Sequence, residues 1–363
     1  MVVDKIIDLF YTMKTFSENA FIEELYLMTT QRSNISDVAR QAGVSISTVS
    51  RVLNGTAPVD EETAGRVRSA VAALHYTPHA AARTLASRRT NTLGLLLLDI
   101  GGEFYTPLLH GIEAVASQAG FDLLIHSTST AQAGKSGHRA LAEHNTDGLL
   151  VFTDALNDAE LIRLHEIGFP VVLMHQSPPK DVPIPMITIE NQVGAQKVVD
   201  HLIETHHCQR IVFVQGPAQN EDSEQREKGY RHSLKKHGLA FDPALVLRGG
   251  FESNQAQAVM HQFLAGGTHF EAVFTGDDDN AVGVMQALRE AGLRIPEDVR
   301  VAGFDDSIFA RILTPPLTSV RSPLEQVGRE AVRNLIHLIR GEQVEMRLVL
   351  PTELIIRQSC GCA

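Results

Sequence analysis

From residue 92 onward the chain repeats one pattern: a short apolar run, a polar break, then an amphipathic segment. The runs TLGLLLLD, FDLLIHS, DGLLVF, PVVLMH, RIVFVQG, EAVFTG and VRVAGFDD are mostly continuous rather than alternating. A strand with one face in water alternates apolar and polar residues, so continuous runs require cover on both faces. Helices between the strands supply that cover, and the predicted fold is a parallel doubly wound α/β sheet, with about 270 residues enough for two lobes. In open sheets of this kind ligands lie beyond the carboxyl ends of the strands, where polar residues here follow the apolar runs.

Residues 34–77 read differently, as three short helices. Ile35, Val38, Ala39 and Ala42 fall at i, i+3, i+4 and i+7, behind an Asn34 cap. Gly43 suits the left-handed residue that ends a helix, and Ser45 caps the next. Two helices so close must turn sharply. The second turns Val49, Val52 and Leu53 inward and Ile46, Ser47, Ser50 and Arg51 outward, until Asn54-Gly55 and Pro58 stop it. A third follows Asp60, with Ala64, Val67, Val71 and Leu74 on its apolar face. After Pro78 comes an alanine-rich stretch of about two turns, too short to persist alone in water.

Charge separates these zones. The chain carries a net −11, yet residues 34–91 hold seven arginines against four acids, a net +3; residues 1–33 carry −2 and residues 92–363 carry −12. A small basic module on an acidic body is the distribution expected when one part meets phosphate and the rest stays off it. No run of 18 apolar residues appears, and the first 28 residues scatter acids through their apolar positions, so neither a membrane span nor a secretory signal is expected and a cytoplasmic location follows. Residues 1–33 read as an N-terminal extension, with Met28 a second plausible start and a short partner-binding helix the alternative. Three cysteines are too few for a disulfide framework. Cys360 and Cys362 offer two metal ligands where a site needs more, so they read as a reduced tail at the surface and no metal or other cofactor is expected.

The stretch ISDVARQAGVSISTVSRVLNG, followed by PVDEETAGRVRSAVAALHYTPHAAARTLAS, resembles the DNA-binding and hinge segment of the lactose-repressor (LacI/GalR) family. REKGY at 226–230, the segment 272–306 and LTPPLTSVRSP at 313–323 extend the resemblance along the chain. It implies a helix-turn-helix headpiece at 34–77, a hinge helix and linker at 78–91, and an effector-binding and dimerisation domain at 92–363 of periplasmic-binding-protein type. The expected N-lobe is about 92–188 with 319–347, and the C-lobe about 189–318 with 348–363. The function implied is that of a sequence-specific regulator, a repressor with activation as the alternative, working as a homodimer or tetramer on double-stranded operator DNA.

By the same resemblance, Ile46, Ser47 and Arg51 read bases, with arginine suited to bidentate pairing with guanine and isoleucine to a thymine methyl. A phosphate contact is the alternative for Arg51. Ser45, Thr48, Ser50 and Asn54 position the helix on phosphates or, alternatively, only cap it. Leu85 is the expected minor-groove wedge, with small Ala81 and Ala82 beside it; packing against its own domain is the alternative. Family positions place Phe104, Tyr105, Asn220, Asp222, Arg226, Phe251, Asp278 and Asp305 in the cleft. Carboxylates, an amide and an arginine fork match paired hydroxyls, and aromatic faces match a sugar ring, so a carbohydrate effector is expected. Asn220 and Gln176 stand where the purine repressor has arginine and tryptophan, which weakens a purine effector and leaves a nucleoside-like one as the alternative to a carbohydrate. Gly101-Gly102-Glu103-Phe104 resembles a cyclase signature but stands alone, and Asp277-Asp278-Asp279 suits ligand binding at a helix start better than a metal. An exported solute-binding protein would need a signal and no headpiece; an enzyme would need a nucleophile, base or metal set that is not identifiable.

Overall fold

The computed structural model describes residues 33–55, 57–76, 89–98, 101, 103–127 and 145–362. The chain divides into two units after Thr90. The expected N-terminal extension and the hinge helix, with Ala81, Ala82 and Leu85, lie outside the described residues.

In the first unit, α1 (Ile35–Ala42) starts at Asn34, whose side chain accepts from the Ser36 and Asp37 amides while the Asp37 carboxylate accepts from the Asn34 amide. This reciprocal box satisfies donors that a helix start otherwise leaves open. Gly43, at φ +64, ends the helix in the left-handed region that a Cβ disfavours. Two residues on, Ser45 Oγ accepts from the Thr48 amide and opens α2 (Ile46–Asn54). Asp60 caps α3 (Glu61–Ala73) in the same way. Val38, Ala39, Ala42, Val49, Val67 and Ala70 close a small core between the three helices.

The second unit holds two sheets. The first has β1 (Thr92–Leu97), β2 (Asp122–Ser127), β3 (Gly148–Phe152), β4 (Val171–Met174), β5 (Met186–Ile189) and β11 (Arg347–Leu350) in the order β11-β5-β4-β3-β1-β2, all parallel. The second has β6 (Ile211–Gln215), β7 (Val246–Arg248), β8 (Ala272–Thr275), β9 (Arg300–Asp305), β10 (Thr318–Arg321) and β12 (Glu353–Ile355) in the order β12-β10-β9-β8-β6-β7. Among the described strands only β12 is antiparallel to its neighbour. Between the strands run α4 (Tyr105–Gln118), α5 (Asp158–Glu166), α6 (Asn191–Glu204), α7 (Glu221–Lys236), α8 (Ser253–Ala265), α9 (Asp278–Glu290), α10 (Ile308–Ile312) and α11 (Leu324–Ile339). Every residue of β3, β4 and β8 is buried, as continuous apolar runs require.

The chain passes between the lobes three times, after β5, after β10 and between β11 and β12. The expected lobe boundaries shift by a few residues: β10, through Arg321, lies in the second sheet and β11, through Leu350, in the first. Among the described residues no helix is long and apolar enough to cross a membrane.

Candidate functional site

In the first unit, α2 buries Val49 and half-buries Val52 and Leu53. Its outer face leaves Ile46 49 % exposed, with Ser47 and Arg51 exposed beside it. A large aliphatic side chain in water at a helix start is unfavourable unless something covers it. Ser45 Oγ also meets the hydroxyls of Ser47 and Thr48, at 2.7 and 2.9 Å. The cap and the outward polar face are therefore one network. Ser50 is half-buried on this helix and Asn54 is its last residue.

In the second unit a cavity of about 740 Å³ opens at the carboxyl ends of the strands of both sheets. Phe104, Tyr105, Asn220, Asp222, Arg226, Phe251 and Asp305 all line it. Several backbone positions there are held in the left-handed region: Thr153 at φ +47, Phe251 at +60 and Asp305 at +101. Non-glycine residues adopt such angles at a cost, and the cost concentrates where a strand end must aim its side chain at a site.

Arg226, 2 % exposed, organises the polar wall. Its Nε donates to Asn191 Oδ1 at 2.8 Å, Nη1 to the Gly276 carbonyl at 2.5 Å and Nη2 to Asp305 Oδ1 at 3.4 Å. The guanidinium lies over the Phe304 ring, 3.8 Å from its centroid, and 4.0 Å from Asp222. Asp222 is tied to the other lobe by His175 Nδ1 at 2.6 Å and accepts from Asn191 Nδ2 at 2.6 Å. Burial works to raise its pKa, but His175, Arg226 and Asn191 hold it below the ordinary carboxylate value. Beside it, Ser177 donates through its amide and hydroxyl to the Glu221 carboxylate, each at 2.8 Å. The start of α7 is thus a second seam between the lobes.

The apolar wall comes from the first lobe. Phe104, Tyr105 and Phe152 meet edge-on with centroids 5.2 to 6.0 Å apart. Phe251 lines the same cavity from the second lobe.

Asp278 is a correction. It does not line the cavity; it is 1 % exposed behind it, accepting from the Ser307 amide and the Ser319 hydroxyl, both at 2.7 Å. Its neighbours Asp277 and Asp279 line the cavity instead. At the first turn of α9, successive side chains point to different sides, and a motif match does not say which one faces the ligand. Gln176 is likewise buried and not part of the lining. The residues that sequence reasoning missed are Phe152 and Thr153, at the end of the run GLLVF and just after it, and His175, which together with Asn191 holds Asp222. A rule that the residue ending each buried run faces the ligand finds Phe152. No sequence signal marks His175.

Burial and the nearby Asp305 push the Asp278 carboxyl up to about 8, and burial with Asp305 also raises Asp277 well above its ordinary value. A carboxyl that holds its proton more tightly when folded favours unfolding as pH climbs from about 4 toward about 8. Asp278→Asn keeps an acceptor for the Ser307 amide. Thermal unfolding of this variant should lose less stability than the parent across that window, by on the order of 5 kcal/mol. Identical pH slopes would overturn the assignment.

A helix-turn-helix unit with an exposed reading face, followed by a two-lobed domain with a polar and aromatic interlobe cavity, defines a ligand-responsive DNA-binding regulator. Residues 34–79 match the family "Bacterial regulatory proteins, lacI family", and residues 199–360 match "Periplasmic binding protein-like domain". The HTH-type transcriptional regulator CelR of Thermobifida fusca is 36% identical over 341 residues, covering 91% of this chain and 98% of CelR. The ribose operon repressor of Escherichia coli is 33% identical, covering 90% and 99%. Among solved structures, a CelR-cellobiose complex matches at TM-score 0.68 and 33% identity over 90% of this chain and all of that one. The Lac repressor dimer bound to operator and an anti-inducer matches at TM-score 0.80 and 26% identity over 91% and 99%. The chain belongs to the LacI family of bacterial regulatory proteins: it is a DNA-binding transcriptional regulator.

Proposed function

We propose that the chain acts in the cytoplasm as a homodimer on a pseudo-palindromic operator, and that a sugar in the interlobe cleft sets its affinity for DNA. The observation that carries this reading is the pairing, in one cavity, of an aromatic wall with a buried arginine-carboxylate wall. Rings cover the apolar faces of a pyranose while carboxylates and an arginine fork bond its hydroxyls. Two relatives are named for, or solved with, sugars: the ribose operon repressor and CelR with cellobiose. The Lac repressor structure is a dimer on operator.

Ile46, Ser47 and Arg51 read base edges, Ser45, Thr48, Ser50 and Asn54 hold the helix on phosphates, and Leu85 with Ala82 wedges the minor groove. Effector binding changes the angle between lobes at the seam where His175 and Ser177 meet Asp222 and Glu221. A coupling of about 1 to 3 kcal/mol is enough to switch occupancy. The test is operator binding by fluorescence anisotropy, on a fragment selected from genomic DNA by the purified protein, titrated with cellobiose, ribose, other sugars and purine nucleosides. One sugar should shift the operator Kd by about 5- to 150-fold. A shift by a nucleoside alone would reassign the effector, and binding without sequence preference would overturn the reading.

A further inference from the structure

Cys360 and Cys362 do not form the surface tail that the sequence led us to expect. Cys360 is buried and Cys362 half-buried. They meet two histidines from a distant part of the chain: His201, near the end of α6, and His206, in the loop that follows. Cys360 Sγ lies 3.5 Å from His201 Nε2, and Cys362 Sγ lies 3.6 Å from His201 Nε2 and 3.4 Å from His206 Nε2. All four ligand atoms fall within 4.8 Å of one another.

These separations have a chemical meaning. Zinc held tetrahedrally, with Zn–S about 2.3 Å and Zn–N about 2.05 Å, sets sulfur and nitrogen about 3.6 Å apart. The three sulfur-nitrogen distances match that edge. Gly361, at φ +98, turns the chain between the two thiols so that both face the histidines. The Thr318 hydroxyl on β10 donates to Cys360 Sγ at 3.1 Å, the kind of supporting bond that orients a metal-bound sulfur. Two soft thiolates with two imidazoles favour zinc over magnesium or calcium, which take oxygen ligands.

A second cluster nearby behaves otherwise. Asp200 and Glu204 are met by Lys236 Nζ at 2.7 and 3.2 Å, so the chain supplies its own cation there.

We propose that His201, His206, Cys360 and Cys362 form a zinc site that fastens the segment after β12 to α6. The metal grips the far end of the helix that begins at Asn191, the residue that hydrogen-bonds both Asp222 and Arg226 in the cleft. Zinc therefore steadies the second lobe from behind.

The test uses the full chain without a histidine tag, purified under reducing conditions and loaded with zinc. Elemental analysis should find about one zinc per chain, falling at least about tenfold in Cys362→Ser and in His206→Ala. Cobalt in place of zinc should give the intense visible absorption of a tetrahedral thiolate site in the parent and not in either variant. Removing zinc with a chelator should lower the unfolding temperature of the parent and leave that of Cys362→Ser unchanged. Retained operator binding by Cys362→Ser shows that the variant is folded. The proposal is overturned if the loaded parent holds no zinc, if both variants retain it, or if the reduced, loaded protein carries a Cys360–Cys362 disulfide instead.

Discussion

Arg226→Leu is expected to lose the effector response while keeping operator recognition. Among the described residues, the guanidinium is the only arginine or lysine cation within 4.0 Å of both Asp222 and Asp305, and it spans Asn191, Gly276 and Asp305 in a single fork. Leucine fills part of the volume over Phe304 but leaves the carboxylates facing one another in a buried wall. Removing one partner of a buried ion pair typically costs about 3 to 5 kcal/mol, because the remaining charge is left uncompensated. Much of that loss falls on the shape of the cavity, and sugar affinity measured by calorimetry should drop by at least about 100-fold. Operator binding should survive, since α1, α2 and α3 close their own core. Arg226→Lys separates charge from geometry: an ammonium restores the sign but cannot form the fork, so affinity should recover only in part. Sugar binding by Arg226→Leu at the parental affinity would show that the cavity is not the effector site.

Arg51→Ala is the corresponding change on DNA. An arginine paired with guanine O6 and N7 contributes about 1 to 3 kcal/mol of discrimination, so specific operator affinity should fall by about 5- to 150-fold while affinity for random duplex changes far less. Anisotropy titrations on both duplexes over a range of salt give the distinction. Where the arginine pairs with a base, its removal leaves the salt slope nearly unchanged. Where it holds a phosphate, its removal reduces the slope by about one and weakens all sequences alike. An equal decrease on operator and random duplex would move Arg51 from reading bases to holding phosphate.

What the sequence makes legible depends on range. The long apolar runs became β1, β3, β4, β6, β8 and β9 because burial on both faces leaves a continuous trace in the sequence, whereas the run at β2 forms an edge strand that is mostly exposed. The short strands β5, β7, β10, β11 and β12 leave little: MITI and TSVR are too brief and too mixed to stand out from loops. The caps at Asn34, Ser45 and Asp60 were legible because each bond closes within three residues. Long-range juxtaposition was not. His175 reaches Asp222 across 47 positions, and Cys360 reaches His201 across 159. Only the folded arrangement of separate elements creates those pairs. The family pattern carried Asp222, Arg226 and Asp305 to the cavity, yet it could not choose between Asp277, Asp278 and Asp279. That choice depends on a rotation of α9 about its axis, which a linear motif does not record.

The three passages between lobes have a mechanical side. Two domains tied by one strand can swing in many directions, whereas three connections lying together leave a single easy twist, as three hinges on a door share one pivot line. At the second passage, Ser322 donates to Asp305 Oδ1 at 2.8 Å, and Asp305 itself faces the cavity. At the first and third passages, the Glu190 amide donates to the Leu350 carbonyl at 3.0 Å, and Thr352 Oγ1 donates to the Glu190 carbonyl at 3.4 Å. A ligand that pulls on Asp305 therefore applies torque at the pivot itself, where a small displacement becomes a large sweep at the rims of the lobes.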